Sequence, residues 1–376
     1  MTGPSIAFDL TVSKYDRAGS GVYAEQLSTA LRPLLGSRLI GLSFPLAARR
    51  RTNTHARNRL LTLTRDLWWT QWAVTRAAER RGAGLLHMPT GVGPVRCRLP
   101  VVVTIHDLAV LRFPERFRTW FRNYARFVLP RVAAQAVKIL TVSEASRTDI
   151  IERLNQSPER VVAIPNGVSP AFRPRSEDPD EMTALRLRYK LPSRFAITVG
   201  SVEPRKNLVR LLHAVQALRS DAATSDVQLV HVGPQGWLNR DVAQTYRELG
   251  LESAVRFLGY VPAEDMPALY SLARLLVYPS LFEGFGLPVL EAMACGCPVV
   301  TSNASSLPEV AGNAAVLVDP TSSESIADGV RRVWIDTALR EKLRKLGLDR
   351  ATQFSWERAA RKTARVYDSV LQSVEQ

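Results

Sequence analysis

Short apolar runs and longer amphipathic stretches alternate along this 376-residue chain. Ser5–Leu10, Leu85–Met88, Val101–Ile105, Ile139–Val142 and Val161–Pro165 have the length and content of buried strands. Gly19 to Leu31 reads as a glycine turn opening a helix. The rhythm predicts a parallel, doubly wound α/β sheet. Residues 170 to 190 interrupt it, being polar and rich in Pro, Asp and Glu. The domain boundary is expected near Asn166–Pro174, with a first domain over residues 1–168. The pattern then restarts. Phe195–Gly200, Val227–Val232, Val255–Leu258, Leu275–Tyr278 and Val299–Thr301 read as strands, and Asn207–Arg219 as a helix. A second domain of the same build is expected over 169–355, followed by one long amphipathic helix within 356–376. No internal repeat or low-complexity tract is present. Ligands of open α/β sheets bind beyond the carboxyl ends of the strands. Two such domains facing one another would form a cleft.

The most informative segment follows the predicted strand Leu275–Tyr278. It reads Glu283-Gly284-Phe285-Gly286-Leu287-Pro288-Val289-Leu290-Glu291. Gly284 and Gly286 permit backbone conformations closed to other residues. Pro288 suits the first turn of a helix, Leu290, Glu291 and Met293 continue at helical spacing, and Gly296 is a stop signal. A helix N-terminus attracts anions, phosphate above all. Carboxylates beside such a site would repel the ligand unless they hold something else, and hydroxyl pairs are what carboxylates accept. Phosphate with neighbouring hydroxyls describes a nucleotide sugar. On spacing alone, two solvated glutamates on a surface helix fit as well.

Other segments at predicted strand ends narrow the choice. Gly200-Ser201-Val202-Glu203-Pro204-Arg205-Lys206-Asn207 sets a planar cationic fork beside a point charge, just before a helix. Fixed cations stabilise the charge that develops on a departing diphosphate. Gly259-Tyr260-Val261-Pro262 follows another strand. In the first domain Gly19-Ser20-Gly21-Val22-Tyr23 follows the first strand, and Ile105-His106-Asp107-Leu108 ends a later one. The Gly19 segment lacks the third glycine of the dehydrogenase fingerprint.

Together these segments resemble the retaining glycosyltransferases of family 4, glycosyl transferases group 1, from Gly19 to about Val318. The resemblance implies a GT-B fold, with two Rossmann-like domains facing across a cleft and a terminal helix crossing back to the first. It implies that Glu283 contacts the donor sugar and Glu291 the ribose, with Gly284, Phe285, Gly286 and Leu287 forming the turn between them. By the same likeness Arg205 and Lys206 bind the diphosphate, and Tyr260 and Val261 line the nucleobase edge. Gly19 and Gly21 would form a phosphate or acceptor loop. His106 would lie beside the reacting sugar, with Asp107 orienting it. The resemblance also implies retention, with a front-face route in which the departing phosphate takes the acceptor proton. GDP-mannose is the leading donor, because the His106-Asp107-Leu108 and terminal regions look most like mannosyltransferases. UDP- and dTDP-sugars remain open, and the acceptor is a glycan or a lipid-linked one.

Composition adds limits. Hydrophobic residues make up 46%, enough for ordinary cores, and no apolar run is long enough to span a membrane. The N-terminus has no basic leader, so a cytoplasmic protein is expected. Cys97, Cys295 and Cys297 fit small buried thiols. No metal and no cofactor beyond the sugar donor are expected. The metal-binding D-x-D string of GT-A enzymes has only Asp178-Pro179-Asp180 as a counterpart, which reads as a solvated loop.

The charge is uneven. Residues 1–165 hold 25 Lys+Arg against 11 Asp+Glu, and the rest hold 25 against 24. The excess therefore lies in the first domain. Arg49, Arg50, Arg51, Arg57, Arg59, Arg65, Arg76, Arg80 and Arg81 share a stretch with Trp68, Trp69 and Trp72. Phe113–Arg131 repeats the theme with Trp120, Phe121 and Phe127. Cations on one face and Trp/Leu on the other are the pattern of an interfacial helix. An anionic membrane surface on the cytoplasmic side is the expected partner. Nucleic acid would explain the charge but not the paired glutamates with Arg205 and Lys206.

Overall fold

The computed structural model describes residues 3–15, 19–45, 64–117, 119–175, 179–234 and 240–375. Arg49 to Arg59 of the arginine-rich stretch, Leu60, Leu61, Leu63 and Asp178 lie outside these, as do the side chains of Arg65 and Leu67. The chain divides into two compact units. One is Met1–Gly167 with Ser355–Gln376, the other Val168–Phe354.

The first unit is built on a parallel sheet of β1 (Ser5–Asp9), β2 (Leu39–Leu42), β3 (Ala83–Met88), β4 (Val101–Thr104), β5 (Lys138–Thr141) and β6 (Val161–Ala163), in the order β2-β1-β3-β4-β5-β6. The second repeats the plan with β7 (Ala196–Val199), β8 (Leu229–Val232), β9 (Val255–Gly259), β10 (Leu275–Tyr278), β11 (Val299–Ser302) and β12 (Ala315–Val318), ordered β12-β11-β10-β7-β8-β9. All the residues of β4, β8, β10 and β11 are buried. Strands covered on both faces need continuous apolar runs, which is why these were legible. β2 and β12 are edge strands with half-exposed residues, and neither is among the strands expected from sequence, although Ala314–Val318 is an apolar run.

Sheet order fixes where ligands can sit. In the second unit the order reverses between β7 and β10, so the crevice at their carboxyl ends is the topological switch point. Segments leaving these two strands carry Arg205, Lys206 and Glu283. The supposed loop at Pro179 is instead the start of a helix, Pro179–Arg188. Proline at the first helical position and Asp180 behind it both favour that start.

The helix Trp356–Glu375 returns to the first unit and packs on the helix Gly19–Leu35 and on β3. The two chain crossings run side by side. A Cβ on Gly167 would overlap the Trp356 backbone, and the Val168 N–H donates to the Phe354 carbonyl at 3.2 Å.

Candidate active site

Three strand ends close together to make the floor of the second unit's crevice. Gly200, leaving β7, takes φ 139°, and a Cβ there would press on Cε of Lys206 at 3.2 Å. Gly233, leaving β8, takes φ 151° with its missing Cβ aimed at the Gly200 carbonyl. Its N–H donates to the Gly259 carbonyl at the end of β9, at 2.9 Å. The turn Pro204–Lys206 then projects its two cations and ends on Asn207, left-handed at φ 63°. Asn207 is buried, and its Nδ2 donates to the carbonyls of Pro279 at 3.0 Å and Pro320 at 2.6 Å. It thereby ties the cationic turn to the segments after β10 and β12. Nothing in the sequence beyond its place after Lys206 marks this asparagine for that task.

Glu283 is the hub. Its Oε2 accepts from Arg205 at 2.8 Å, and its Oε1 accepts from Lys206 at 2.7 Å and from the Tyr278 hydroxyl at 3.1 Å. Lys206 Nζ also donates to the Tyr278 hydroxyl and lies 4.8 Å from the centre of its ring. Arg205 Nε reaches Glu203 at 2.9 Å. Burial alone would raise the Glu283 carboxyl, but Lys206 and Arg205 outweigh it and hold it down at about 2. Burial and the nearby Arg205 pull the Lys206 ammonium down, against the Glu283 charge. The hub's backbone is fixed from β11. Ser305 Oγ donates to the Glu283 carbonyl at 2.6 Å, and Ser306 Oγ donates to the carbonyls of Glu283 and Phe285 at 2.9 and 2.7 Å. Ser305 itself is left-handed at φ 57°. Neither serine was singled out from sequence, although the polar run after β11 marks the place.

Gly286 caps the helix Leu287–Ala294 at φ 113°, where a Cβ would strike Leu307 at 2.7 Å. Gly284 does not share that conformation, so only one of the two glycines is demanded by the backbone. Phe285 is buried and meets Phe354 edge-on, while Leu287 is half-buried. Glu291, one turn into the helix, accepts from the Tyr270 hydroxyl at 3.1 Å. Burial pushes its carboxyl up to about 7, against that hydrogen bond. Val261 is buried, and Tyr260 stands 65% exposed beside it.

The remaining candidates belong to the first unit. His106 follows β4, with its Nε2 3.0 Å from the Pro89 carbonyl and its ring edge-on to Tyr23 at 4.7 Å. Behind Tyr23 runs a buried polar chain. The Tyr23 hydroxyl bonds Thr104 at 3.0 Å, Thr104 bonds His87 Nε2 at 2.9 Å, and His87 Nδ1 bonds the Tyr367 hydroxyl. Burial, and then His106, push His87 down to about 3, so it is neutral. Asp107 accepts from the N–H of Ala109, the first residue of the short helix Ala109–Arg112, at 2.9 Å. The Gly19 segment opens a helix, as its glycines led one to expect. Gly19 and Gly21 are the first turn of the helix Gly19–Leu35, neither with positive φ, and a Cβ on Gly19 would meet nothing within 4 Å. Asp9, at the end of β1, was missed. It accepts from the Thr11 N–H at 3.0 Å and Trp69 Nε1 at 3.4 Å, and burial raises its carboxyl.

Comparison with known proteins places this geometry. The family described as Glycosyl transferases group 1 matches residues 186–350, and Glycosyltransferase Family 4 matches residues 17–172. The O-antigen chain mannosyltransferase B of Escherichia coli is 39% identical over 267 residues, which is 71% of this chain and 69% of the relative. The chain belongs to the family 4 glycosyltransferases. A serotype-specific mannosyltransferase WbdA of Escherichia coli is 30% identical over 72% of this chain, which spans only 34% of that longer protein. Sucrose-phosphate synthase from Thermosynechococcus elongatus superposes with a TM-score of 0.75 at 20% identity, over 98% of this chain and 100% of that one. The fold is GT-B.

As a glycosyltransferase the protein has an electrostatic arrangement suited to a leaving anion. Two fixed cations hold one ionised, buried carboxylate in the crevice. There a charge is worth several times what it is in water. Among the described residues no group of three or more His, Cys, Asp or Glu converges as a metal site would require. Cys295 and Cys297 are buried free thiols, the first pushed up to about 12 by burial.

Proposed function

We propose that this glycosyltransferase moves a hexosyl group, mannose from GDP-mannose in first place, from a nucleotide sugar to a glycan or lipid-linked acceptor with retention of configuration. The observation that carries the reading is Glu283 gripped by Arg205 and Lys206 at the switch point between β7 and β10. A carboxylate offers about four lone-pair sites. Arg205, Lys206 and Tyr278 occupy three of these, and the one left over accepts from a sugar hydroxyl, while the same cations face the diphosphate. Glu291 accepts from the ribose, and the backbone beside Tyr260 and Val261 takes the base edge. The bond from the anomeric carbon to phosphate breaks, the acceptor oxygen bonds that carbon on the same face, and its proton passes to the departing phosphate. Position and fixed charge supply the catalysis, without a protein nucleophile or a metal. His106 is the residue proposed to orient the sugar. Support for mannose comes from the mannosyltransferase names of the Escherichia coli relatives, and an O-antigen chain is a glycan acceptor. UDP- and dTDP-sugars are the alternative donors.

The test is a panel of nucleotide sugars followed by thermal shift and by slow hydrolysis, with and without a chelator. GDP-mannose is expected to stabilise wild type and not Glu291→Ala, with turnover unaffected by chelation. If Lys206→Ala turns over as fast as wild type, the phosphate assignment fails. The acceptor end is proposed to work at the cytoplasmic face of an anionic membrane. Trp68, Trp72, Trp120 and Phe127 are each about half exposed or more, with Arg126 over the Phe127 ring. No helix among the described residues is long and apolar enough to cross a membrane.

A further inference from the structure

The second unit has another concave site at the opposite end of its sheet. Arg194 precedes β7, Arg274 precedes β10, and Pro298 precedes β11, so the site lies at the amino ends of strands whose carboxyl ends carry the donor crevice. It is a pocket of about 360 Å³. Five arginines line it, Arg175, Arg194, Arg274, Arg340 and Arg344, against one acid, the exposed Glu341.

Two of the five have a structural task. Arg274 donates twice to the Trp334 carbonyl, at 2.9 and 2.6 Å, and Arg340 donates to the carbonyls of Val333 and Trp334 at 2.9 and 2.8 Å. They close the end of the helix Ser323–Ile335. Arg194 pairs with Asp226 at 3.1 Å. Among the described residues Arg175 and Arg344 make no ion pair. Ser176 to Asp178, next along the chain, lie outside those residues.

The arrangement is electrostatically adverse for the fold by itself. Arg340 sits in the first turn of the helix Thr337–Thr352, where the helix end already carries positive charge. Arg344 follows one turn later, and like charges four residues apart destabilise a helix. Arg340 and Arg194 each depress the Arg274 guanidinium, after burial. Capping one helix accounts for two arginines and the Asp226 pair for Arg194, which leaves Arg175 and Arg344 unexplained. Guanidinium forks that line one pocket, with no side-chain hydrogen bond from Arg175 or Arg344 among the described residues, fit the oxygens of phosphate, and a pocket of this size takes a small molecule.

We infer that this pocket is a second anion site, taking the diphosphate group of a soluble phosphorylated small molecule through Arg175 and Arg344. It is separate from the donor crevice and does not depend on the assignment of that crevice.

Inorganic pyrophosphate, titrated calorimetrically at physiological salt, tests it. The Lys206→Ala variant disables the donor's phosphate site and leaves this one intact. Saturable binding is expected to persist in Lys206→Ala and to weaken tenfold or more when Arg175→Ala and Arg344→Ala are added. It is expected to survive Lys342→Ala with Lys345→Ala, which removes the same charge from exposed positions of the same helix. Without ligand, the double arginine variant is expected to melt no lower than its parent, since it relieves repulsion. Should it fail to fold, Arg344→Lys serves instead. It keeps the charge, loses the fork, and is expected to bind several-fold more weakly. Loss of all binding in Lys206→Ala overturns the inference while leaving the donor assignment standing. Equal weakening by the lysine pair reduces it to general charge and overturns it too.

Discussion

Glu283 and Glu291 lie eight positions apart yet are opposite in character, because one has cations and the other has a phenol. Lys206 and Arg205 hold Glu283 at about 2, below the ordinary 4.5. Its contribution to stability is therefore complete above pH 4.5 and is lost as pH falls toward 2. Glu283→Ala leaves two cations without their partner in a buried place. A loss of about 3 kcal/mol is expected in urea unfolding at neutral pH, shrinking relative to wild type as pH drops through that window. Turnover should fall at least about 100-fold. Burial raises Glu291 to about 7, so the sign reverses. The neutral form favours folding below pH 4.5, and that contribution is lost as pH rises to 7. Glu291→Gln should gain stability relative to wild type across that interval. As a ribose acceptor the charged form is needed, so donor affinity should rise with pH through about 7 in wild type and stay flat in Glu291→Gln. Isothermal titration at three pH values decides this.

At the scale of elements, the helix Trp356–Glu375 acts through one tyrosine. Tyr367 completes the buried chain that runs through His87 and Thr104 to Tyr23, whose ring flanks His106. Tyr367→Phe strands a buried imidazole nitrogen and is expected to cost about 1–3 kcal/mol. A double-mutant cycle with Thr104→Val should show coupling, because the two share one network. If His106 is positioned through this chain, Tyr367→Phe also lowers kcat more than it raises KM. The central strands and this helix were legible because burial on both faces, or on one face at helical period, writes itself into apolar spacing. β2, four residues broken by Gly41, was not, and neither was β12, although the apolar run Ala314–Val318 holds it. Glu283, Arg205 and Lys206 were legible as charges at strand ends. Asn207, Ser305 and Ser306 were opaque, because they act through backbone carbonyls that only the folded chain brings near. Asp107 was legible as a polar residue at a strand end, and its hydrogen bond turns out to serve a helix start.

On the scale of the whole molecule, the excess charge falls in the unit that carries the exposed tryptophans and is nearly absent from the unit that carries the donor crevice. Sedimentation with anionic vesicles should recover wild type, and Trp120→Ala with Phe127→Ala should reduce recovery several-fold. High salt should release the remainder. Equal recovery on neutral and anionic vesicles would rule out the membrane assignment.

The crossing of the chain from one unit to the other and back also sets a timetable. His87 leaves the ribosome 280 residues ahead of its partner Tyr367. At about 5–20 residues per second, that is a wait of roughly 15 to 55 seconds with a buried imidazole unanswered. The second unit, continuous from Val168 to Phe354, has no such wait. The part of this enzyme that is begun first is finished last, and its nascent first sheet is where a chaperone would find work.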